Sequence, residues 1–194
     1  MPVGFRIKES ITRTSKEVLD LYTDLPASTI SDTMQRHGAM DPKIKPLRRP
    51  APRLLGPAFT VRTRAVDNLM VHKAIDMAEP GDVLVCEVGG DEACAIIGEI
   101  MSRQARKRGV AGIVIDGLIR DSDELAEMGY PVYARGASPL GPWKDGPGEI
   151  GFPIVCGGVI VNPGDVILAD GDGIVVIPRE DAPHVAAMTR EAVA

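Results

Sequence analysis

The chain has 194 residues, enough for one domain with a substantial core. At 44% hydrophobic and 25% charged residues, its composition is that of a globular protein, not of a disordered or fibrous one. Net charge is −5 and "RQARKR" (103–108) is the only basic cluster, so there is no nucleic-acid footprint, and no apolar run reaches membrane-spanning length.

The N-terminal "MPVGFRIKES" lacks a signal peptide's hydrophobic segment. Cys86, Cys94 and Cys156 stand far apart in apolar surroundings and read as reduced core cysteines of a cytoplasmic protein. His37, His72 and His184 are too scattered for a zinc-type cluster.

In chain order, residues 15–25 and 28–38 read as helices, the second with Ser28 or Thr29 as N-cap and Gly38 as stop. Residues 41–53 are too rich in proline for regular structure, and "LLGPAFTVRTRA" (54–65) alternates like a strand. "NLMVHKAIDMA" (68–78) has helical spacing and "VLVCEV" (83–88) is a buried strand. A glycine-bearing turn, the short apolar piece "ACAII" (93–97) and a helix over 99–108 follow. Lys107 and Arg108 in its last turn, with Gly109 beyond, suit the negative helix end.

"GIVIDG" is a further buried strand, "DSDELAEMG" a short helix and "PVYARG" a strand. After a Gly/Pro-rich loop over 136–151 the pattern is β ("PIVCGGVIV", "DVILAD", "GIVVIP"), and a helix over roughly 180–193 follows. "PGDVLV" and "PGDVIL" are two similar type II turn entries into strands, not a repeat architecture. Strand and helix alternate in the middle while the last third is β-rich, which predicts an α/β fold of layered sheets and helices, not a purely doubly wound one.

Two local features could carry chemistry. Arg120–Asp121 follows a buried strand directly, where open α/β folds place ligands. Asp121 could equally cap the next helix, with Glu124 completing a capping box. In "GGDEACAIIGEIM" (89–101), a helix starting at Gly98–Glu99 leaves the amides of Ile100 and Met101 without intrahelical partners, which suits a carboxylate ligand. Glu99 also fits as an ordinary first-turn acid favoured by the helix dipole. The twenty residues between Glu99 and Arg120 spell one helix, a turn and a strand, a passage that returns to the same edge of the layer. Two carboxylates, a guanidinium and a helix N-terminus then suit a small keto acid beside a hard divalent metal.

"GEIMSRQARKRGVAGIVIDGLIRD" closely resembles the RraA-like family, which includes the class II pyruvate aldolases. Its signature is an acid, twenty intervening residues and Arg-Asp, satisfied here by Glu99 and Arg120–Asp121. The resemblance runs from "STISD" (28–32) through "DNLMVHKA" (67–74) to "GGVIVNPGDVILADGDGIVVIPRE" (157–180). It implies a single β/β/α swivelling-type domain over 1–194, with N-terminal helices within 15–38, forming a homotrimer or hexamer. It also implies cleavage of 4-hydroxy-4-methyl-2-oxoglutarate or 4-carboxy-4-hydroxy-2-oxoadipate, with oxaloacetate decarboxylation alongside.

In such aldolases the position of Asp121 ligates Mg²⁺ or Mn²⁺, water and substrate filling the rest. That of Arg120 holds the pyruvyl carboxylate or keto oxygen, helped by the amides of Ile100 and Met101. The acid matching Glu99, often Asp in relatives, contacts a water on the metal and takes part in proton transfer. Asn68 and Lys144 match contacts to the distal end of the substrate. Glu191 is the nearest candidate for an acid that relatives supply from a neighbour's C-terminal helix.

Other relatives inhibit ribonuclease E, a non-catalytic alternative with nearly the same Arg-Asp core. A Schiff base on Lys73 competes with a plain snorkelling role for that lysine. Methyl transfer to menaquinone lacks support, because no strand–GxGxG–helix loop is present.

Overall fold

The computed structural model describes residues 4–90 and 92–193. Its main sheet runs β1 (Phe5–Ile7), β8 (Gly148–Ile150), β3 (Leu54–Thr63), β4 (Val83–Glu87), β6 (Gly112–Ile119), β7 (Val132–Ala137), β2 (Lys45–Pro46), with the short β5 (Ala95–Ile97) beside β6. The β3–β4, β4–β6 and β6–β7 pairs are parallel. The apolar runs at 83–86 and 113–115 are continuous because both sheet faces are covered. Along β4, Leu84 and Cys86 face a core formed with helices α3 (Leu69–Met77), α4 (Glu99–Lys107) and α5 (Ser122–Met128). Val83 and Val85 face the opposite core, shared with the second β layer.

That second layer contains β9 (Ile154–Cys156), β10 (Val159–Val161), β11 (Val166–Ala169) and β12 (Ile174–Ile177). Period-two alternation again divides the side chains. Ile167, Ala169, Ile174 and Val176 point to the shared core, while Val166, Leu168, Val175 and Ile177 pack under an outer helical layer. The outer layer holds α1 (Lys16–Asp20), α2 (Ala27–Thr33) and α6 (Ala182–Val193). Strand β3 joins the two layers: Leu54–Pro57 pair with β11, and Ala58–Arg62 pair with β4. The result is the layered α/β fold expected from the sequence.

Several local expectations change. The first helix stops at Asp20 and the second starts at Ala27, so neither Ser28 nor Thr29 is the N-cap. Pro26 takes that position, and the Ala27 amide is instead satisfied by Asp170 Oδ2 at 2.9 Å, from 143 residues away. The proline-rich linker carries a two-residue strand, β2, on the edge of the sheet, where proline's missing N–H is tolerated. The 136–151 loop contains β8, which pairs with both β3 and β1, and β1 itself has no clear sequence pattern. Gly81 and Gly164, in the two "PGD" turns, have φ of +92° and +86°, and the following Asp82 and Asp165 each accept the amide three residues back. Cys86, Cys94 and Cys156 are all buried. No helix among the described residues is long and apolar enough to cross a membrane.

One polar knot interrupts the core. Asp116, 9% exposed in the middle of β6, accepts from Arg135 on β7 and from the Gly157 amide at 2.7 Å. Arg135 also donates to Asp41 at 2.7 Å, so the start of the linker is bound to the sheet. The strand register shifts between Ile115 and Leu118, where this knot sits. Ile115 itself is fully buried at the helix-facing core. Replacement Ile115→Ala is expected to destabilise the fold by about 2–5 kcal/mol, read as a lower urea midpoint at unchanged slope.

Candidate functional site

Strand β6 ends at Ile119, so Arg120 and Asp121 emerge at the strand's C-terminal edge. Asp121 has φ 55° and ψ 46°, a left-handed conformation that costs an L-residue about 1 kcal/mol or more. It precedes α5 but makes no side-chain cap to it. Its Oδ2 accepts the amide of Glu99 at 2.9 Å. The capping-box reading is therefore corrected: Asp121 caps α4, not its own helix. A carboxylate at the positive end of a helix is favourable on both hydrogen-bond and dipole grounds.

Gly98 makes the contact possible. A Cβ there would lie 2.3 Å from Asp121 Oδ2 and 2.8 Å from Arg120 Cγ. With Glu99's amide taken by Asp121, the first backbone hydrogen bond across the helix start runs from Ser102 N to Gly98 O at 3.1 Å. The amides of Ile100 and Met101 stand between these two, in the helix's first turn.

Arg120 Nε lies 3.7 Å from Asp121 Oδ2, within ion-pair range. Both are partly exposed, at 46% and 37% of their side chains, so the pair contributes little to stability. Glu99 has a side-chain partner of its own. Its carboxylate is held by Arg103 at 2.7 Å, four residues along the same helix, and only its backbone joins the contact with Asp121.

A pocket of about 240 Å³ opens beside Arg120. Its lining includes five residues singled out in the sequence (Asn68, Ile100, Met101, Arg120 and Lys144) together with His72, which was not. Asp121 lines an adjoining depression with Arg120, Ser122, Asp123 and Glu124. Lys73 is an exposed residue of α3 and lines neither, so the structure gives a Schiff-base role no support. Glu191 is exposed on α6, which packs against α2 in the outer layer.

Sequence reasoning also missed Asp67. It is fully buried; its Oδ1 accepts from the Leu69 amide at 2.9 Å, and its Oδ2 from the amides of Asp145 and Gly146 at 2.7 and 3.0 Å. Asn68 N donates to Trp143 O at 3.0 Å and Trp143 N to Val66 O at 2.8 Å. These bonds stitch the loop carrying Lys144 to the start of α3, which carries Asn68 and His72. The local half of this arrangement, an Asp two residues before the first helical amide, is an Asx-turn signal visible in "DNL".

Among the described residues, no group of three or more His, Cys, Asp and Glu side chains could hold a metal ion. Because the Glu99 amide takes Asp121 Oδ2, Oδ1 is the oxygen left for a ligand. A single hard oxygen donor fits a cation that keeps much of its hydration, as Mg²⁺ does, and does not fit a closed structural metal site.

Gly98→Ala is expected to cost about 1–3 kcal/mol by forcing the helix start off the strand end. Adding Asp121→Ala removes the nearest clashing atom. A double-mutant cycle by urea denaturation should therefore show non-additivity of at least about 0.5 kcal/mol.

The chain is similar in sequence and fold to known proteins. A family profile described as "RraA-like: Aldolase/RraA" matches residues 27–176. A Halalkalibacterium halodurans protein named "Putative 4-hydroxy-4-methyl-2-oxoglutarate aldolase" is 39% identical over 164 residues, covering 84% of this chain and 78% of its own. A solved structure of an uncharacterised Pseudomonas syringae protein superposes with a TM-score of 0.84 at 30% identity, covering 95% of this chain and 86% of its own. The structure of "the RNA-processing inhibitor RraA" from Thermus does so with 0.73 at 32% identity, covering 80% and 94%. The profile match across most of the chain and the shared fold together establish that this chain belongs to the RraA-like family.

Proposed function

We propose that this chain is a divalent-metal-dependent class II aldolase that releases pyruvate from 4-hydroxy-4-methyl-2-oxoglutarate or 4-carboxy-4-hydroxy-2-oxoadipate, and that it also decarboxylates oxaloacetate. One observation carries the proposal. Arg120, Asp121 and the first turn of α4 meet at Gly98, beside a pocket of small-ligand size. The name of the Halalkalibacterium relative supports the same chemistry.

In this mechanism Arg120 receives the pyruvyl carboxylate, its planar fork matching two oxygens. The Ile100 and Met101 amides orient the keto-acid end and are already aligned by the helix, so they need no reorganisation as charge develops. Asp121 Oδ1 would hold Mg²⁺ or Mn²⁺, which when bound supplies Lewis-acid stabilisation of the charge arising at the C2 oxygen. Cleavage breaks the C3–C4 bond as the C4 hydroxyl gives up its proton, and C3 is later protonated to give pyruvate. Glu99 is the acid assigned to proton handling, after exchanging its contact with Arg103. Loss of CO₂ from oxaloacetate leaves the same electron pair on C3, so one charge-holding cradle serves both reactions.

The likeness to the Thermus inhibitor supports a second reading, in which the chain is a non-catalytic inhibitor of ribonuclease E. The same aldolase proposal includes assembly as a homotrimer or hexamer. It is supported by Ile100, Leu140 and Trp143, exposed at 76%, 61% and 67% on or beside the pocket lining.

Pyruvate release from the two aldol substrates and oxaloacetate should require Mg²⁺ or Mn²⁺ and stop with EDTA. Asp121→Ala should abolish it, and Arg120→Lys should mainly raise KM for the keto acid. No turnover with any divalent cation, alongside inhibition of ribonuclease E, would replace the aldolase reading by the second one. Light scattering should give three or six chain masses, and Trp143→Asp should reduce that number.

A further inference from the structure

Among the described residues, three buried polar side-chain atoms have no hydrogen-bond partner: Asn68 Oδ1, His72 Nε2 and Ser102 Oγ. The first two belong to residues lining the pocket. A buried polar atom left unpaired costs stability, so its persistence in a pocket wall points to a ligand that completes it. Asn68 is 97% buried, since its residue exposure is 3%. Its amide orientation is fixed, because Nδ2 donates to Ile96 O at 2.8 Å and contacts Met101 Sδ at 3.4 Å. The atom left over is therefore an acceptor, and a ligand carboxylate, which only accepts, cannot satisfy it.

Lys144 supplies the complementary chemistry, because an ammonium only donates. Burial, reinforced by the positive charge of Lys144 and opposed by Asp76, lowers the His72 pKa below its ordinary value. At pH 7 the imidazole is neutral, and which of its nitrogens carries the proton is set by its partner. A hydroxyl both donates and accepts, so it satisfies an acceptor-only Asn68 and a neutral His72 together. The charged residues lining this pocket are Arg120 and Lys144, and Ala95, Ile96, Ile97, Met101 and Pro142 give it apolar walls.

We propose that His72 is a specificity-determining residue which, with Asn68 Oδ1 and Lys144, reads a substrate carbon bearing one hydroxyl, one carboxylate and a small apolar group. This rests on the aldolase reading for the keto-acid end at Arg120, and it favours the 4-methyl substrate over the one with a second carboxylate at its far end. With Arg120 engaged by the pyruvyl carboxylate, Lys144 is the remaining cation in the lining, and a second far carboxylate would be desolvated without a partner. The hydroxyl is the stronger discriminator, because a site built to hydrogen-bond it leaves its own groups unpaired when the hydroxyl is missing.

The test separates binding from turnover. Titration calorimetry with Mg²⁺ compares 2-hydroxy-2-methylsuccinate with 2-methylsuccinate, which differ by that hydroxyl alone. The wild type should bind the hydroxy acid at least tenfold more tightly. His72→Leu should erase most of that preference, and His72→Gln, which keeps a neutral hydrogen-bonding group, should restore it. In turnover, the ratio of kcat/KM for the 4-methyl substrate to that for oxaloacetate, which lacks the C4 hydroxyl, should fall at least tenfold in His72→Leu. Equal binding of the two acids by the wild type, or full preference in a His72→Leu protein of unchanged Tm, would overturn the proposal. A wild type that prefers the hydroxy acid yet releases pyruvate from no keto acid would support the hydroxyl subsite and overturn the aldolase reading.

Discussion

The site depends on one contact, the Asp121 carboxylate accepting the Glu99 amide across Gly98. It fixes the N-terminus of α4 against the C-terminal end of β6. The positive end of the helix dipole and the side chains leaving the strand then share one small volume. The left-handed backbone at Asp121 is the strain this geometry requires, and a charge-assisted hydrogen bond at a helix start offsets it. A side chain at position 98 would push the elements apart, and Arg120 would no longer stand beside the Ile100 and Met101 amides.

Around this contact the fold supplies rigidity from both sides. Strands β4 and β6 are buried on both faces, so their ends are held by two cores at once. The loop bearing Lys144 has little regular structure of its own and is held by the buried carboxylate of Asp67. The pocket thus combines a helix start and strand end with a loop fastened to α3. Its two cations and mostly apolar lining suit a small dianion better than a polyanion or a nucleotide.

Much of this was legible in the sequence. Strand and helix order followed from apolar periodicity, because backbone sterics and burial impose periods of two and 3.6 on any chain that packs in layers. The start of α4 at Gly98 and its basic last turn were also visible, since helix termini have local chemistry. The strand inside the 136–151 loop was not. Its three residues, "GEI", carry no pattern of their own and become a strand only because β3 and β1 offer edges. The start of α2 was misplaced for a similar reason, its amide being satisfied by an aspartate 143 residues away.

By itself the sequence determined the layered α/β class and put Arg120 and Asp121 at the end of a buried strand. It also set twenty residues between them and Glu99. Tertiary structure alone decided what those side chains face. Asp121 turned from its own helix to α4, and His72 and Asn68 were joined by Lys144. The physical reason is that periodicity fixes which residues are buried, whereas a carboxylate or an imidazole chooses among competing partners. Those partners are brought within reach only when distant segments pack.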